Sequence, residues 1–230
     1  MISKQIAFLE NFVSERRKNL IDSITNSRTR YITVVMEDIY HSQNASAVLR
    51  SCESFGIQDV HIIDNYQTFT INPDVTKGSN KWLTLHKYIK SGSNTLSAID
   101  TLKKNGYRII ATLPGSKATS IEQLDIEKGK IALLFGNEHR GLSDHAIENA
   151  DESVRIPTLG FTQSLNISVS AAIILYQLST RLRNSSVSWK LSAKERNELK
   201  LLWLKKSLRK PEIILKEFFL KSANKQRFGI

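Results

Sequence analysis

The sequence predicts an α/β fold, a mostly parallel sheet flanked by helices, with helical extensions at both ends of the chain. Three observations carry this. Short apolar, β-branched runs recur between residues 31 and 156, and such runs suit strands buried on both faces. Segments of helical periodicity separate them, the order that builds parallel βαβ units. Charge is also divided along the chain. Residues 1–30 hold six Lys/Arg against three Asp/Glu, residues 31–180 thirteen against fifteen, and residues 181–230 fourteen against four. The expected organisation is a basic helical extension over 1–30, a near-neutral body over 31–183 and a second basic helical extension over 184–230. Such flanks attract a polyanion.

Residues 3–20 place Ile6, Leu9, Phe12 and Val13 at helical spacing, and Arg16, Arg17 and Lys18 in the last turn suit the helix dipole. Residues 31–36, Tyr-Ile-Thr-Val-Val-Met, form a buried strand. Residues 44–55 set Ala47, Val48, Cys52 and Phe55 on one helical stripe. A strand over 60–63 follows, then a polar loop over 64–80 with Pro73 and Gly78, and a further strand over 82–89. A helix over 96–103, a strand over 107–113 and a Pro114-Gly115 turn come next. Residues 131–135, Ile-Ala-Leu-Leu-Phe, are another buried strand, and 143–149 a short helix opened by Ser143. A short strand over 154–156 leads to a long helix over 164–183. Beyond it, Ser192 and Glu195 have capping-box spacing for a basic helix to about residue 208. Pro211 starts a last helix that ends near residue 221.

Several function classes fall away. Cys52 is the sole cysteine, so it forms no disulfide within the chain and reads as a small core residue in a reducing cytoplasm. Residues 1–20 lack the pattern of a secretion signal. The longest apolar stretch, 167–178, is interrupted by Ser168, Ser170 and Gln177 and is too short to span a bilayer. A cytoplasmic protein with no membrane partner is expected. No Gly-x-Gly-x-x-Gly turn, phosphate loop or Gly-x-Ser-x-Gly elbow is present. His41, His61, His86, His139 and His145 lack zinc-ligand spacing, and no metal is expected.

Three segments place polar residues just beyond an apolar strand, where open α/β sheets collect ligands. In the first, Asn44 sits where a helix begins and Arg50 lies inside it, near a core-facing stripe. Six residues separate them, about 240° of helix, so they do not share a face. Asn44 as a plain cap and Arg50 reaching to water is the alternative. The second is Gly136-Asn137-Glu138-His139-Arg140-Gly141, whose glycines let a backbone approach a ligand and whose Glu138 accepts hydrogen bonds. The third runs from Ile156-Pro157 through Gly160 to Ser164-Leu165-Asn166-Ile167-Ser168, where Ser164 or Asn166 otherwise serves as a helix cap.

In this order, Asn44…Arg50, Gly136-Asn137-Glu138…Gly141-Leu142 and Ile156-Pro157…Gly160…Ser164-Leu165-Asn166-Ile167-Ser168 resemble the SpoU/TrmH branch of the SPOUT methyltransferases over about residues 31–183. Gly78-Ser79-Asn80-Lys81-Trp82 also resembles a segment of the tRNA 2′-O-methyltransferases of that branch. The resemblance implies a C-terminal deep trefoil knot and a homodimer. It implies S-adenosyl-L-methionine as cofactor, held at Thr112, Leu113, Gly136, Ile156 and Leu165. It further implies methyl transfer to a ribose 2′-hydroxyl of tRNA, with guanosine 18 as the expected target. Arg50, Asn44, Glu138, Ser164 and Asn166 are the implied catalytic residues. Arginine stays protonated in proteins, so Arg50 is read as gripping a phosphate or stabilising a developing alkoxide. RNA contact is expected at Arg16, Arg17, Arg28, Arg30, Arg181 and Arg183. Methylation of rRNA, or RNA binding without catalysis on the same fold, are the alternative readings.

Overall fold

The computed structural model describes residues 1–89, 93–115 and 118–228. The chain divides into two compact units, Thr29–Trp189 and a second made of Met1–Arg28 with Lys190–Ile230. The two ends of the chain therefore share one unit, whereas the sequence suggests separate extensions.

The larger unit is built on seven parallel strands: β1 (Ile32–Glu37), β2 (Asp59–Ile63), β3 (Thr84–Tyr88), β4 (Tyr107–Thr112), β5 (Thr119–Ser120), β6 (Lys130–Phe135) and β7 (Glu152–Arg155). Their order is β3-β2-β1-β6-β4-β7-β5. The apolar runs split by parity. Ile32, Val34, Met36, Leu133 and Phe135 face a core shared with α3 (Ser42–Ser54) and α7 (Ile167–Arg183). Val35, Ala132 and Leu134 face a second core under α5 (Asn94–Lys104) and α6 (Asp144–Glu148). Helices thus cover both faces, which is why these strands carry no polar face. Cys52 is fully buried in the first core.

Local differences have local causes. The long loop after β2 holds a single-turn helix α4 (Pro73–Thr76), capped by Asn72, and a 3₁₀ turn at Ser79–Trp82. Helix α3 begins at Ser42, so Asn44 lies in its first turn and is not its cap. Helix α7 begins only at Ile167 because Asn166 caps it, its side chain accepting from Ser168 N. The 3₁₀ turn Ile121–Gln123 and strand β5 have no periodicity long enough to read in sequence.

In the smaller unit, the expected first helix is two: α1 (Ile2–Glu10) and α2 (Glu15–Ser27). Ser14 starts α2, its hydroxyl accepting from Arg17 N. They pack with α8 (Ala193–Ser207), which has the full Ser192–Glu195 capping box, and with α9 (Pro211–Phe228). Lys200 bridges Glu10 at 2.7 Å and Asp22 at 2.5 Å. This unit holds seventeen Lys/Arg against seven Asp/Glu, leaving the larger unit nearly neutral.

One stability consequence sits at the β2–β3 edge. His61 and His86 are register partners whose rings stack at 4.5 Å, and His61 Nδ1 meets the Tyr88 hydroxyl at 3.1 Å. His86 faces Asp59 at 3.3 Å, which Arg30 also holds at 2.8 Å. Burial, with His86 beside it, pushes the His61 imidazole from its ordinary 6.5 down to about 4. The unfolded chain then binds the proton that the folded chain refuses, so stability present above pH 6.5 is lost as pH falls toward 4. The contribution is on the order of 3 kcal/mol. His61→Phe is expected to flatten the pH dependence of urea stability across that window; an unchanged slope contradicts it.

Candidate active site

Strands β1, β6, β4 and β7 are successive neighbours, so their carboxyl ends form one rim. Two cavities flank the loop that leaves β6. The larger, about 590 Å³, is lined by Thr112 and Leu113 from β4, Gly136 after β6, Ile156 after β7, and Ser164, Leu165 and Asn166 before α7. The five cofactor positions expected from sequence thus share one cavity with three of the catalytic ones, Glu138, Ser164 and Asn166. Leu113 N donates to Val154 O at 2.9 Å and Thr112 Oγ1 to Leu134 O at 2.7 Å, fixing the β4 end against both neighbours.

The loop after β6 is closed on itself. Asn137 N donates to Gly141 O at 2.9 Å and Gly141 N to Asn137 O at 2.8 Å. Asn137 Oδ1 accepts from His139 N and Arg140 N, and its Nδ2 donates to Asp38 O at 2.6 Å. Gly141 takes φ +72°, and at Gly136 a Cβ would lie 2.2 Å from Gly141 C and Leu142 N. The first glycine is required by space and the second by backbone angle.

This closure aims Glu138 at the start of α3. Its Oε2 accepts from Tyr40 N at 2.8 Å, and its Oε1 from His41 N at 3.2 Å and Asn44 Nδ2 at 2.7 Å. Asn44 Oδ1 in turn accepts from Asn166 Nδ2 at 3.2 Å. Burial pushes the Glu138 carboxyl up, but the bonds from Asn44, Tyr40 and His41 outweigh it and hold it below the usual carboxylate range. Residues about a hundred positions apart are thereby joined into Glu138–Asn44–Asn166, at the mouth of the larger cavity. The group presents an ionised acceptor and two amides beside a space of ligand size.

Two expected catalytic residues stand apart from it. Ser164 lines the cavity and is exposed. Arg50 is exposed rather than core-facing, and its Nη1 donates to Val75 O at 3.3 Å on the α4 side of α3. The backbone donors Tyr40 N and His41 N were not foreseen. Their only trace in sequence is the polar stretch between β1 and Asn44.

The six arginines expected to touch RNA divide. Arg16 and Arg17 are exposed on α2. Arg28 is 1% exposed, with its guanidinium 5.2 Å from the Trp203 ring centre, where a phosphate does not reach. Arg30 is engaged with Asp59. Arg181 donates to Ile121 O at 3.0 Å and Leu124 O at 2.6 Å, tying down the 3₁₀ turn, and Arg183 donates to Phe55 O at 3.0 Å while lying over Trp189. These four have structural partners because their guanidiniums satisfy carbonyls, an acid or a ring inside the fold. Among the described residues, no cluster of three or more His, Cys, Asp or Glu side chains is placed to hold a metal, and no helix is long and apolar enough to cross a membrane.

Residues 31–176 match the model of the SpoU rRNA Methylase family. The chain is 43% identical over 213 residues to a tRNA (guanosine(18)-2′-O)-methyltransferase of Borreliella burgdorferi, covering 93% of this chain and 95% of that protein. The crystal structure of an Aquifex aeolicus TrmH/SpoU tRNA modifying enzyme superposes with a TM-score of 0.74 at 26% identity, over 84% of this chain and 98% of that one. A SpoU methyltransferase, AviRb, from Streptomyces viridochromogenes, in complex with the cofactor AdoMet, shares the fold with a TM-score of 0.59 at 21% identity, over 69% of this chain and 63% of that one.

Proposed function

Because this chain belongs to the SpoU rRNA methylase family, we propose that it transfers a methyl group from S-adenosylmethionine to a ribose 2′-hydroxyl of tRNA, at guanosine 18. The observation that carries this reading is the Glu138–Asn44–Asn166 group at the mouth of the larger cavity. Three loops from adjacent strands line that cavity, and its volume of about 590 Å³ suits a ligand of nucleoside size. The residues present fit the cofactor.

When bound, S-adenosylmethionine supplies a methyl carbon activated by a sulfonium. The chain's own residues do the rest. Thr112, Leu113, Gly136, Ile156 and Leu165 would hold the adenosine, and Ser164 lines the same cavity. Glu138 is a poor proton acceptor, since its hydrogen bonds favour the ionised form. Its task is to fix Asn44, which with Asn166 orients the ribose. Arg50 meets an RNA phosphate or the developing alkoxide as a fixed cation. Arg50→Lys and Arg50→Ala are each expected to lower kcat/KM by about 10³-fold while cofactor affinity and Tm hold, because Arg50 is exposed. An Arg50→Lys variant with wild-type turnover would show that charge alone suffices there.

The smaller unit is assigned to RNA. It carries Arg16, Arg17, Lys194, Arg209 and Lys210 exposed, and its excess of positive charge suits a phosphate backbone. A second copy of the chain covers α7, where Val169, Ile173 and Tyr176 make an exposed apolar stripe at helical spacing. A trefoil knot in the segment after β6 is supported by the insertion of β6 between β1 and β4. The compartment is the cytoplasm, to which a single buried Cys52 is suited.

The test is transfer of labelled methyl from S-adenosylmethionine into bulk tRNA and rRNA, followed by mass mapping of digested product. A 2′-O-methylguanosine at position 18 of tRNA is expected. Label confined to rRNA, or absent from both, contradicts the reading.

A further inference from the structure

The second cavity shares with the donor site only residues of the Asn137–Leu142 loop, all but Glu138. It holds about 500 Å³ and lies on the β1 side of the Asn137–Gly141 loop, lined among others by Tyr40, Tyr66, His139, Arg140 and Asp144. Tyr40 is 52% exposed and Tyr66 81%. The hydroxyls of Tyr31, Tyr107 and Tyr88 are hydrogen-bonded to Ile126 O, Arg30 O and His61. Those of Tyr40 and Tyr66 have no such bond among the described residues. Two exposed aromatic rings thus line one cleft, with hydroxyls that bond nothing among the described residues.

Both are nevertheless held at their backbones. Asp38, at φ +51°, accepts from Asn65 N at 2.7 Å, Tyr66 N at 2.9 Å and Gln67 N at 3.3 Å, so its carboxylate clamps the turn that carries Tyr66. The carbonyl of Asp38 takes Asn137 Nδ2, joining that clamp to the catalytic loop. Tyr40 N is held by Glu138, the carboxylate that also holds Asn44, and the Tyr40 ring meets the edges of His41 at 4.8 Å and His139 at 5.3 Å. A non-glycine residue at positive φ is costly, and such positions cluster where a site must be set. Here it sets the aromatic wall relative to Glu138.

On the reading that the larger cavity serves ribose methylation, we propose that this cleft takes the base of the methylated nucleotide, a guanine turned out of its stack onto Tyr40 and Tyr66. The base is one glycosidic bond from the ribose, and the two cavities share one loop as their wall. Bases presented to an enzyme outside a stack are recognised by aromatic stacking and by their Watson–Crick edge. Glu37 and Asp38 spend their carboxylates on Thr95, Ser143 and the 65–67 turn. The Asp144 carboxylate makes no hydrogen bond among the described residues, and a guanine offers it the N1–H and N2–H donors. Arg140 lines the same cleft and offers a cation to a flanking phosphate.

The test uses the full chain and tRNA transcripts, intact or lacking only the base of the target nucleotide. Tyr40→Ala and Tyr66→Ala are expected to weaken binding of intact tRNA by about 5- to 150-fold, the range of one base stack. Tyr40→Phe and Tyr66→Phe stay within about 2-fold, and cofactor affinity is unchanged in all four, since neither tyrosine lines the larger cavity. On the baseless transcript the alanine variants cost nothing further. Inosine at the target position, which lacks the N2 donor, is bound more weakly by the wild type but not by Asp144→Ala. The proposal is overturned if the alanine variants bind intact tRNA as the wild type does, or lose as much on the baseless transcript. An equal inosine penalty in wild type and Asp144→Ala overturns the guanine assignment. If the wild type methylates no tRNA at all, the proposed function falls first and this inference with it.

Discussion

Gly136→Ala is expected to abolish cofactor binding and lower the melting temperature together. A Cβ at this position would sit 2.2 Å from Gly141 C, 2.2 Å from Leu142 N and 2.4 Å from Gly141 O, all backbone atoms of a loop closed by two mutual hydrogen bonds. Backbone does not yield as a flexible side chain does, so either the Asn137–Gly141 bonds open or the end of β6 shifts. Overpacking of this kind costs about 1–3 kcal/mol, which corresponds to roughly 2–10 °C in a chain of this size. Donor binding is expected to be lost with it, because the backbone that must shift carries Gly136, Gly141 and Leu142, which line the donor cavity. Gly141→Asn supplies the control. Its φ of +72° suits asparagine better than other side chains, and a Cβ there meets nothing within 4 Å. It is expected to keep donor binding within a few fold. Calorimetric titration of both variants with S-adenosylmethionine reads this directly; wild-type affinity in Gly136→Ala contradicts the assigned role of the loop.

Glu138→Ala is expected to lower kcat by about 10²- to 10³-fold, the range seen when one fixed polar group is removed from a reacting centre. The loss comes through position. Tyr40 N, His41 N and Asn44 Nδ2 are all left without their acceptor, and Asn44 is then free to leave Asn166. Glu138→Gln is expected to be nearly as damaging, since its amide would set a donor against donors on at least one side. Single-turnover rates on tRNA distinguish this from a binding defect, and near-wild-type kcat in either variant contradicts it. The sign of the pH effect follows from the same bonds. A carboxyl held below its unfolded value stabilises the fold above that value and gives this up as pH falls through the folded one. Titration of Glu138 therefore contributes no loss of activity at neutral pH.

The parts legible in sequence were those set by burial and by short-range chemistry. Residues 131–135 read as a strand because β6 lies between two others with helices on both faces, which removes every polar position. Ser192, Glu195 and Ser143 read as caps because capping acts over three residues. The loop of Gly136 and Gly141 stood out because backbone closure leaves little choice of residue. What sequence could not reveal depends on distant partners. Arg28, Arg181 and Arg183 add to a basic count, yet each is held inside the fold by residues between 57 and 175 positions away. Asn44 reads equally as a cap or a site residue until Glu138, 94 positions on, is brought to 2.7 Å. Arg50 lies beside a core-facing stripe in sequence, with a reach to water as the alternative, and α3 turns it outward toward Val75.

The convergence of the β4, β6 and β7 ends on one cofactor is what the catalytic reading requires. A crystal structure of the chain with S-adenosylmethionine tests it most directly. The adenosine is expected against Thr112, Leu113, Gly136, Ile156 and Leu165, with the methyl group facing Asn44 and Glu138. A donor bound elsewhere, or a cavity that stays empty at saturating donor, would contradict the account.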